Sequence, residues 1–204
     1  LHLHTDVKRE DKISYYTTCG WMMWNWLVSG LQLGASVVLI DGSPIYPDNE
    51  FLWKKIEEEA ITIFGTSPKY LSSIEKSGLK PKDKYELSKL KTILSTGSPL
   101  SEENFKWVYK NVKSDLQLSS ISGGTDIISC FMLGCPILPV YLGEIQCRGL
   151  GMKVEAYDEN GNSVIDSKGE LVCTEPFPSE PIYFWNDTQN VKYRKTRLPG
   201  RFPG

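Results

Sequence analysis

Small and hydroxylated residues follow three of the predicted strands, at the point where each strand ends. Glycines there let a ligand approach the main chain, and nearby amides and hydroxyls can bind phosphate oxygens. A carboxylate beside them can hold Mg²⁺. Ligands bind at the carboxyl ends of strands in open parallel sheets, so we predict a site for a phosphorylated ligand, although the same residue types also form ordinary turns. The three segments are residues 65–68, 95–99 and 122–126.

Other kinds of phosphate or catalytic site are not indicated. The chain contains neither a Walker-type loop nor a Gly-x-Gly-x-x-Gly motif. Both histidines, His2 and His4, stand at the start of the sequence, so a Ser-His-Asp hydrolase or a multi-histidine metal site is unsupported. The five cysteines never form a Cys-x-x-Cys pair, which favours reduced thiols in a cytosolic protein. The chemistry must therefore use hydroxyls, main-chain amides, carboxylates and a cofactor.

The elements that carry the three segments alternate between strand and helix. Short β-branched runs bounded by turn residues predict strands, and apolar residues at helical spacing predict the helices between them. The alternation predicts an α/β fold, a parallel β-sheet flanked by helices. The helix that starts at Trp21 is apolar nearly all round, which predicts burial, and Asp48 is predicted to cap the next helix. The predicted strands are residues 36–40, 61–64, 92–94 and 116–121, and the predicted helices are residues 21–28, 49–59, 69–76 and 102–112.

The pattern changes after about Pro139, where short strands are punctuated by glycine. Asn160-Gly161 tolerates the positive φ angles of a tight hairpin turn. We therefore predict an α/β parallel-sheet subdomain with nucleotide- and acyl-binding loops at residues 1–138. An antiparallel β subdomain, similar to a small barrel or sandwich, is predicted at residues 139–204. Its predicted strands are residues 143–147, 153–157, 163–165 and 170–174.

The amino-acid composition and net charge limit the kinds of molecule that the protein is expected to bind. Of the 204 residues, 40% are hydrophobic and 24% are charged, and the net charge is −2 with a pI of about 5.8. This composition supports a packed core, and the near-neutral charge argues against nucleic acid as a partner. An uninterrupted run of ~18 apolar residues is absent, so no membrane insertion is expected. The first residues lack the basic start and apolar stretch of a signal peptide, which also favours the cytosol.

Six segments form a recognisable set. Three are the most specific: Tyr-Thr-Thr-Cys-Gly-Trp-Met-Met-Trp-Asn-Trp at 16–26, Ile-Leu-Ser-Thr-Gly-Ser-Pro-Leu at 93–100 and Ser-Ile-Ser-Gly-Gly-Thr-Asp-Ile at 120–127. The set resembles the adenylate-forming acyl-CoA synthetases and, within that family, the enzymes that activate acetoacetate. The resemblance runs in order through essentially the whole chain. The other three segments are residues 143–146, 169–174 and 184–187.

The resemblance implies a two-step ligase reaction in a longer parent protein. A carboxylate attacks the α-phosphorus of ATP to give an acyl-AMP and pyrophosphate, and the CoA thiolate then displaces AMP. By resemblance, the substrates are acetoacetate, ATP and CoA, with Mg²⁺. The chain is then an inactive fragment of the large N-terminal domain, whose phosphate loop, ribose-binding aspartate and adenylation lysine lie outside it. Two alternatives stay open: a synthetase for another short or medium carboxylate, and a non-catalytic nucleotide- or acyl-binding module on the same scaffold.

The resemblance also assigns a nucleotide cleft and two catalytic residues. Thr125 is expected to donate a hydrogen bond to the α-phosphate, whose charge rises in the transition state. Asp126 stands where relatives usually have a glutamate, near Mg²⁺. Its side chain is one methylene shorter, which favours a water-mediated contact with the metal. The residues assigned to the cleft are Gly97, Ser98, Pro99, Ser122, Gly123, Gly124 and Thr125.

An acyl pocket is implied beside the nucleotide cleft. Acetyl-CoA synthetases carry a tryptophan at the position of Gly123, where it closes the pocket beyond a two-carbon acid. Glycine is therefore expected to leave space for the keto and methyl groups of acetoacetate, so that Gly123→Trp would exclude acetoacetate and retain acetate. The residues that fall at acyl-pocket positions are Trp21, Met22, Met23, Thr96 and Gly123.

Overall fold

A five-stranded parallel β-sheet lies at the centre of the structure, a computed structural model that describes residues 1–197. Its strands are β1 (Lys12–Tyr15), β2 (Ser36–Val37), β3 (Ile63–Thr66), β4 (Thr92–Ser95) and β5 (Gln117–Ser120). Their order across the sheet is β2-β1-β3-β4-β5, and each neighbouring pair is parallel. The predicted parallel sheet is confirmed.

Helices connect the strands, and two of them begin at a serine cap. They are α1 (Met22–Ser29), α2 (Phe51–Glu58), α3 (Pro68–Lys76) and α4 (Glu102–Asn111). The Ser67 hydroxyl accepts a hydrogen bond from the Tyr70 N–H at 3.3 Å, and the Ser101 hydroxyl accepts one from the Asn104 N–H at 3.2 Å. Each serine satisfies a donor that the first helical turn leaves unpaired. The helix α4 begins at the predicted residue, and α3 begins one residue before the predicted start at residue 69.

Alternate residues of the strands pack against helices on both faces of the sheet. On one face, Phe64 of β3 and Ile93 of β4 join the cluster that contains Trp53 of α2. On the other face, Ile13 of β1 and Leu94 of β4 join the buried residues of α1. Burying each such side chain fully contributes about 1.5–3 kcal/mol. These two clusters hold the sheet between its helices and so fix the ends of the strands in space.

The edge of the sheet differs from the sequence prediction. The apolar run at residues 36–40 forms only the two-residue strand β2, and Leu39 within that run is 62% exposed. Since β2 is an edge strand with a partner on one side only, its side chains are not enclosed as a central strand's are. The helix α1 is also less enclosed than predicted, because Asn25 and Ser29 face solvent.

Asp48 does not cap α2 as predicted. Its carboxylate accepts a hydrogen bond from the Glu50 N–H at 2.8 Å, and Glu50 occupies the cap position without a side-chain cap bond. The Asp48 side chain therefore closes a local turn just before the helix, a conformation that aspartate commonly adopts.

Pairing changes from parallel to antiparallel directly after β5. The strands β6 (Ser122–Gly124) and β7 (Ser129–Leu133) are antiparallel, with an irregularity in register between Ser122 and Gly123. The short β8 (Cys147–Arg148) lies beside β7. Antiparallel structure thus begins before Pro139, because the chain reverses at the turn formed by residues 125–128. Of the strand predicted at residues 143–147, only its last residue is in β8.

The structure divides into two compact units, residues 1–147 and a second that begins at Arg148. The second unit contains an antiparallel sheet of β9 (Val154–Tyr157), β10 (Ser163–Val164) and β11 (Glu170–Cys173), in the order β10-β9-β11. Gly161 has a φ of +82°, as the predicted hairpin turn requires. The division between residues 138 and 139 stays a prediction. The helix α5 (Val191–Arg197) also belongs to this unit.

Within residues 1–197, no helix combines the length and the hydrophobicity that crossing a bilayer requires.

Candidate active site

A cavity of about 430 Å³ lies at the carboxyl ends of β4 and β5 in the first unit. This is the place where ligands bind in open α/β sheets, and the volume falls in the range of small-molecule sites, about 300–1,000 Å³. Residues 21–23, 96–99 and 122–125 all line it. They include every residue assigned to the nucleotide cleft or the acyl pocket from the sequence. The fold therefore brings together side chains that are about a hundred residues apart in the chain.

The segment at residues 65–68 is the one predicted ligand loop that does not line this cavity. Gly65 and Thr66 belong to β3, and the Thr66 side chain is fully buried. Ser67 is the cap of α3 and Pro68 is its first residue. These residues therefore serve the strand and the helix start, which is the ordinary turn-forming role that their residue types also allow.

The loop after β4 forms the polar side of the cavity. The Thr96 hydroxyl donates a hydrogen bond to the Ile121 carbonyl at 2.8 Å, which joins this loop to the end of β5. Gly97 has a φ of +101°, a backbone conformation that residues other than glycine rarely adopt. The Thr96 hydroxyl proton is thus already used within the protein, so this side chain offers a ligand its oxygen lone pair or its methyl group.

Thr125 begins the turn that joins β6 to β7. The Ile128 N–H donates to the Thr125 carbonyl at 3.3 Å and closes this turn. The Thr125 side chain is exposed and lines the cavity, so a ligand in the cavity can reach its hydroxyl. Its neighbours Ser122 and Gly124 add further main-chain and hydroxyl groups on the same side.

Asp126 lies at the margin, outside the residues that line the cavity. Its Oδ1 atom is 3.1 Å from the position that a Cβ on Gly124 would occupy, so the carboxylate is directed back over β6. The described part of the chain contains no group of three or more His, Cys, Asp and Glu side chains that could hold a metal ion. A Mg²⁺ at Asp126 would need phosphate oxygens and water as its other ligands. The residues present fit a cation that arrives with a nucleotide.

Apolar side chains also line the cavity. Met22, Met23 and Cys130 are buried there. Burial raises the pKa of the Cys130 thiol to about 11, so the group is neutral at physiological pH. Cys130, Met132 and Ile145 line the cavity although the sequence analysis did not single them out. Cys130 and Met132 are two residues apart in β7, so their side chains lie on the same face of the strand. Had the sequence been recognised as a strand here, this spacing would have pointed to both residues.

Gly123 lines the cavity, but the space beside its Cα is already filled. A Cβ at this position would lie 2.4 Å from the Ser129 carbonyl oxygen and 3.0 Å from the Cys130 Cα. Both atoms belong to the main chain of β7, which cannot move as a flexible side chain can. A side chain at position 123 would therefore collide with β7 at its first atom, whereas the acyl space predicted beside Gly123 stays a prediction, since Gly123 lines the cavity. Glycine is needed here because β6 and β7 approach closely at the register irregularity.

A sequence model of the family described as "AMP-binding enzyme" matches residues 2–181. The chain belongs to this family. Its members named acetoacetyl-CoA synthetase are close in sequence: the one from Gallus gallus is 54% identical over 202 residues, and the one from Rhizobium meliloti is 51% identical over 191 residues. These alignments cover 99% and 94% of this chain. The chain spans about 30% of the length of these curated relatives.

Solved structures agree with the family assignment. The acetoacetyl-CoA synthetase from Streptomyces lividans superposes with a TM-score of 0.90 and 43% sequence identity, covering 95% of this chain and 30% of that one. An anthranilate CoA ligase solved in complex with anthranoyl-AMP superposes with a TM-score of 0.79 at 17% identity, covering 94% of this chain and 36% of that one. The second likeness concerns the fold alone. In both superpositions this chain matches about a third of a longer chain.

Proposed function

We propose that the protein to which this chain belongs is a cytosolic acetoacetate–CoA ligase. It activates acetoacetate with ATP to acetoacetyl-AMP and pyrophosphate, and then transfers the acyl group to CoA with release of AMP. The observation that carries the proposal is the cavity, in which residues 21–23, 96–99 and 122–125 meet. The identity of about 50% to acetoacetyl-CoA synthetases from a bird and a bacterium supports the choice of substrate.

The polar side of the cavity suits the reacting phosphate. As the carboxylate attacks, negative charge builds up on the oxygens of the α-phosphate. A hydroxyl or amide that already points at these oxygens stabilises the transition state without reorganising, and removing one such donor typically costs ~3–4 kcal/mol of activation free energy. We assign this role to the Thr125 hydroxyl, because Thr125 is exposed on the cavity wall and follows the glycines of β6.

A divalent cation bound to the nucleotide supplies charge neutralisation to the phosphates. Asp126 is the residue of this chain that we assign to it, through a bound water, since the carboxylate lies over Gly124 just outside the cavity wall. Thr125 and Asp126 are consecutive, so the turn at residues 125–128 carries both the proposed phosphate donor and the proposed cation ligand.

The apolar side suits a short acyl chain. Met22 and Met23 at the start of α1 are almost fully enclosed, and they line the cavity together with Trp21. Methionine side chains adapt to irregular space, and contact with them excludes water from the carbon chain of the acid. A small keto acid can thus lie with its carboxylate towards Thr125 and its methyl end towards the methionines.

The experiment is acid-dependent exchange of labelled pyrophosphate into ATP, with the purified full-length protein and a panel of acetate, acetoacetate, butyrate and hexanoate. We expect acetoacetate to give the highest kcat/KM. A preference for another acid would identify a synthetase for that carboxylate, and exchange with none of them would identify a non-catalytic binding module. The 204-residue chain assayed alone serves as the control, and it should show no exchange above background, because it covers about 30% of the length of its relatives.

A further inference from the structure

Tyr15 supports Trp21 from outside the cavity. The two rings meet edge to face, with centroids 6.0 Å apart and an interplanar angle of 85°. The Tyr15 ring also contacts Trp26, one helical turn further along α1, at 5.7 Å and 66°. Edge-to-face contacts of this kind stabilise aromatic pairs beyond the area that they bury. Trp21 lines the cavity, whereas Tyr15 and Trp26 do not.

Gly65 provides the seat for the Tyr15 ring. A Cβ on Gly65 would lie 1.9 Å from Cδ2 and 2.2 Å from Cε2 of that ring. The ring therefore lies directly on the main chain of β3, in space that any other residue at position 65 would fill. This close approach explains a glycine in the middle of a buried strand, where glycine would otherwise weaken the sheet.

The Tyr15 hydroxyl fixes the other end of the ring. It donates a hydrogen bond to the Thr66 carbonyl at 3.2 Å, and the side chain is 4% exposed. Burial raises the pKa of this hydroxyl well above its ordinary value, so it stays protonated and remains a donor. The ring packs on the Gly65 main chain and its hydroxyl is hydrogen-bonded to the Thr66 carbonyl, so the ring has little freedom to move.

Gly97 also lies near the Trp21 indole. The position of a Cβ on Gly97 is 3.7 Å from Cζ2 of the Trp21 indole, which is ordinary van der Waals distance. A methyl group at position 97 would thus contact the indole, which the Tyr15 ring already contacts edge to face. Moving the Tyr15 ring would free the indole to shift out of the cavity wall and enlarge the space behind it.

We propose that Tyr15, seated on Gly65, is a positioning residue that holds the Trp21 indole in the wall of the cavity and so sets the size of acid that the enzyme activates. The proposal rests on the proposed ligase function. It predicts that the effect of Tyr15 on acid size passes through Trp21 and leaves the nucleotide side of the cavity unchanged.

The test compares kcat/KM for acetoacetate with that for 3-oxohexanoate, which has the same keto acid end and two more methylenes, in pyrophosphate exchange by the full-length protein. Tyr15→Leu should lower the ratio of the two by about tenfold or more, since a hydrophobic pocket discriminates one methylene by about 10–200-fold. The KM for acetoacetate should rise while the KM for ATP stays at the parental value. Tyr15→Phe keeps the ring and should retain the parental ratio.

Two further variants separate positioning from general loosening. In a Trp21→Ala background, Tyr15→Leu should change the ratio no further, because the residue through which it acts is gone. Trp26→Leu removes the other aromatic partner of Tyr15 without touching the cavity and should leave the ratio unchanged. If Tyr15→Leu does not fold, the double variant Gly65→Ala/Tyr15→Leu replaces it, since the new methyl group fills part of the space that the ring leaves.

The inference would be overturned if Tyr15→Leu, or its replacement variant, kept the parental ratio of kcat/KM for the two acids. It would also be overturned if Tyr15→Leu lowered that ratio equally in the parental and the Trp21→Ala backgrounds. Such a result leaves the ligase function intact, because the parent still activates acetoacetate. A parent that activates only other acids overturns acetoacetate as the substrate, and the same comparison is then made with its preferred acid and the homologue two methylenes longer. A parent that activates no carboxylate overturns both proposals.

Discussion

A Cβ atom on Gly123 would lie 2.4 Å from the carbonyl oxygen of Ser129. In the antiparallel pairing of β6 with β7, Gly123 lies opposite Cys130 and Gly124 lies opposite Ser129, next to the irregularity in register. On the adjacent residue Gly124, the nearest atoms to a Cβ are side-chain atoms, Oδ1 of Asp126 at 3.1 Å and Cγ1 of Ile127 at 3.6 Å. A side chain at position 123 would therefore collide with main-chain atoms, which cannot rotate away. A side chain at position 124 would meet only side-chain atoms, which can.

Gly123→Ala should lower the free energy of unfolding by about 1–3 kcal/mol, the usual cost of forcing extra volume into a packed site. Gly124→Ala is the matched control and should cost less than about 1 kcal/mol, since the side chains beside it can rotate away. Urea denaturation of the full-length protein measures both. Equal losses for the two variants would mean that the contact with Ser129 is not what requires glycine.

Gly123→Trp should abolish activation of acetate and acetoacetate alike. The sequence alone suggested that the indole would fill an open pocket and spare acetate, but the first atom of the new side chain already collides with β7. Pyrophosphate exchange with both acids decides between the two expectations. A variant that folds and retains acetate activation would show that β7 moves to admit the ring.

Thr125→Ala in the full-length protein should reduce the rate of adenylation by about 10²–10³-fold, the usual effect of removing one preorganised donor to a developing charge. The KM for acetoacetate should change much less, because the hydroxyl acts on the transition state. Thr125→Ser is the control, since it keeps the hydroxyl and should recover most of the rate. If Thr125→Ala and Thr125→Ser are equally slow, the hydroxyl is not the group that matters.

Asp126→Ala should raise the Mg²⁺ concentration needed for half-maximal exchange by about tenfold or more, as expected for a carboxylate that orients a metal-bound water. At saturating Mg²⁺ most of the rate should return. Asp115→Ala is a suitable control, because Asp115 is a surface carboxylate paired with Lys113 at 3.6 Å outside the cavity. An unchanged Mg²⁺ dependence in Asp126→Ala would assign this residue to the turn alone.

Asp11 ties three segments of the first unit together. Its side chain is 1% exposed and accepts hydrogen bonds from the Lys8 N–H, the Thr62 hydroxyl and the Lys91 ammonium, each at 2.8 Å. Burial by itself would raise the pKa of this carboxyl, but the three donors outweigh burial and hold the pKa below its ordinary value. The ionised form is therefore the one that the folded state prefers.

The stabilisation from Asp11 should be lost in acid. Its pKa is lower in the folded than in the unfolded state, so the contribution is fully present above the unfolded value, about 4, and disappears as pH falls through the folded value. Asp11→Asn should lower the free energy of unfolding by about 1–3 kcal/mol at pH 7. The difference from the parent should shrink steadily below about pH 4. Denaturation series at pH 7, 5, 4 and 3 measure it, and a difference that stays constant would contradict the assignment.

Local sequence signals determined much of the fold. The helices α3 and α4 begin at Ser67 and Ser101 because a cap hydroxyl and the apolar spacing of the following turns lie within a few residues of each other. The hairpin at Asn160-Gly161 is likewise a local signal, because glycine readily adopts the positive φ that this turn requires. The family motifs at residues 93–100 and 120–127 also identified the cavity residues 96–99 and 122–125, because in a parallel sheet consecutive strand ends must meet at one edge.

Tertiary structure alone decided which of these residues face a ligand. Gly65 reads as a turn residue in the sequence, yet Tyr15, fifty positions earlier in the chain, lies on it and makes it part of a strand. Gly123 also reads as a residue that could be enlarged, yet the main chain of β7 blocks the direction that a side chain there would take. A short segment encodes its own periodicity, caps and turns, but the atoms that close over it come from distant segments. Their positions depend on how the whole chain packs, which no window of neighbouring residues contains.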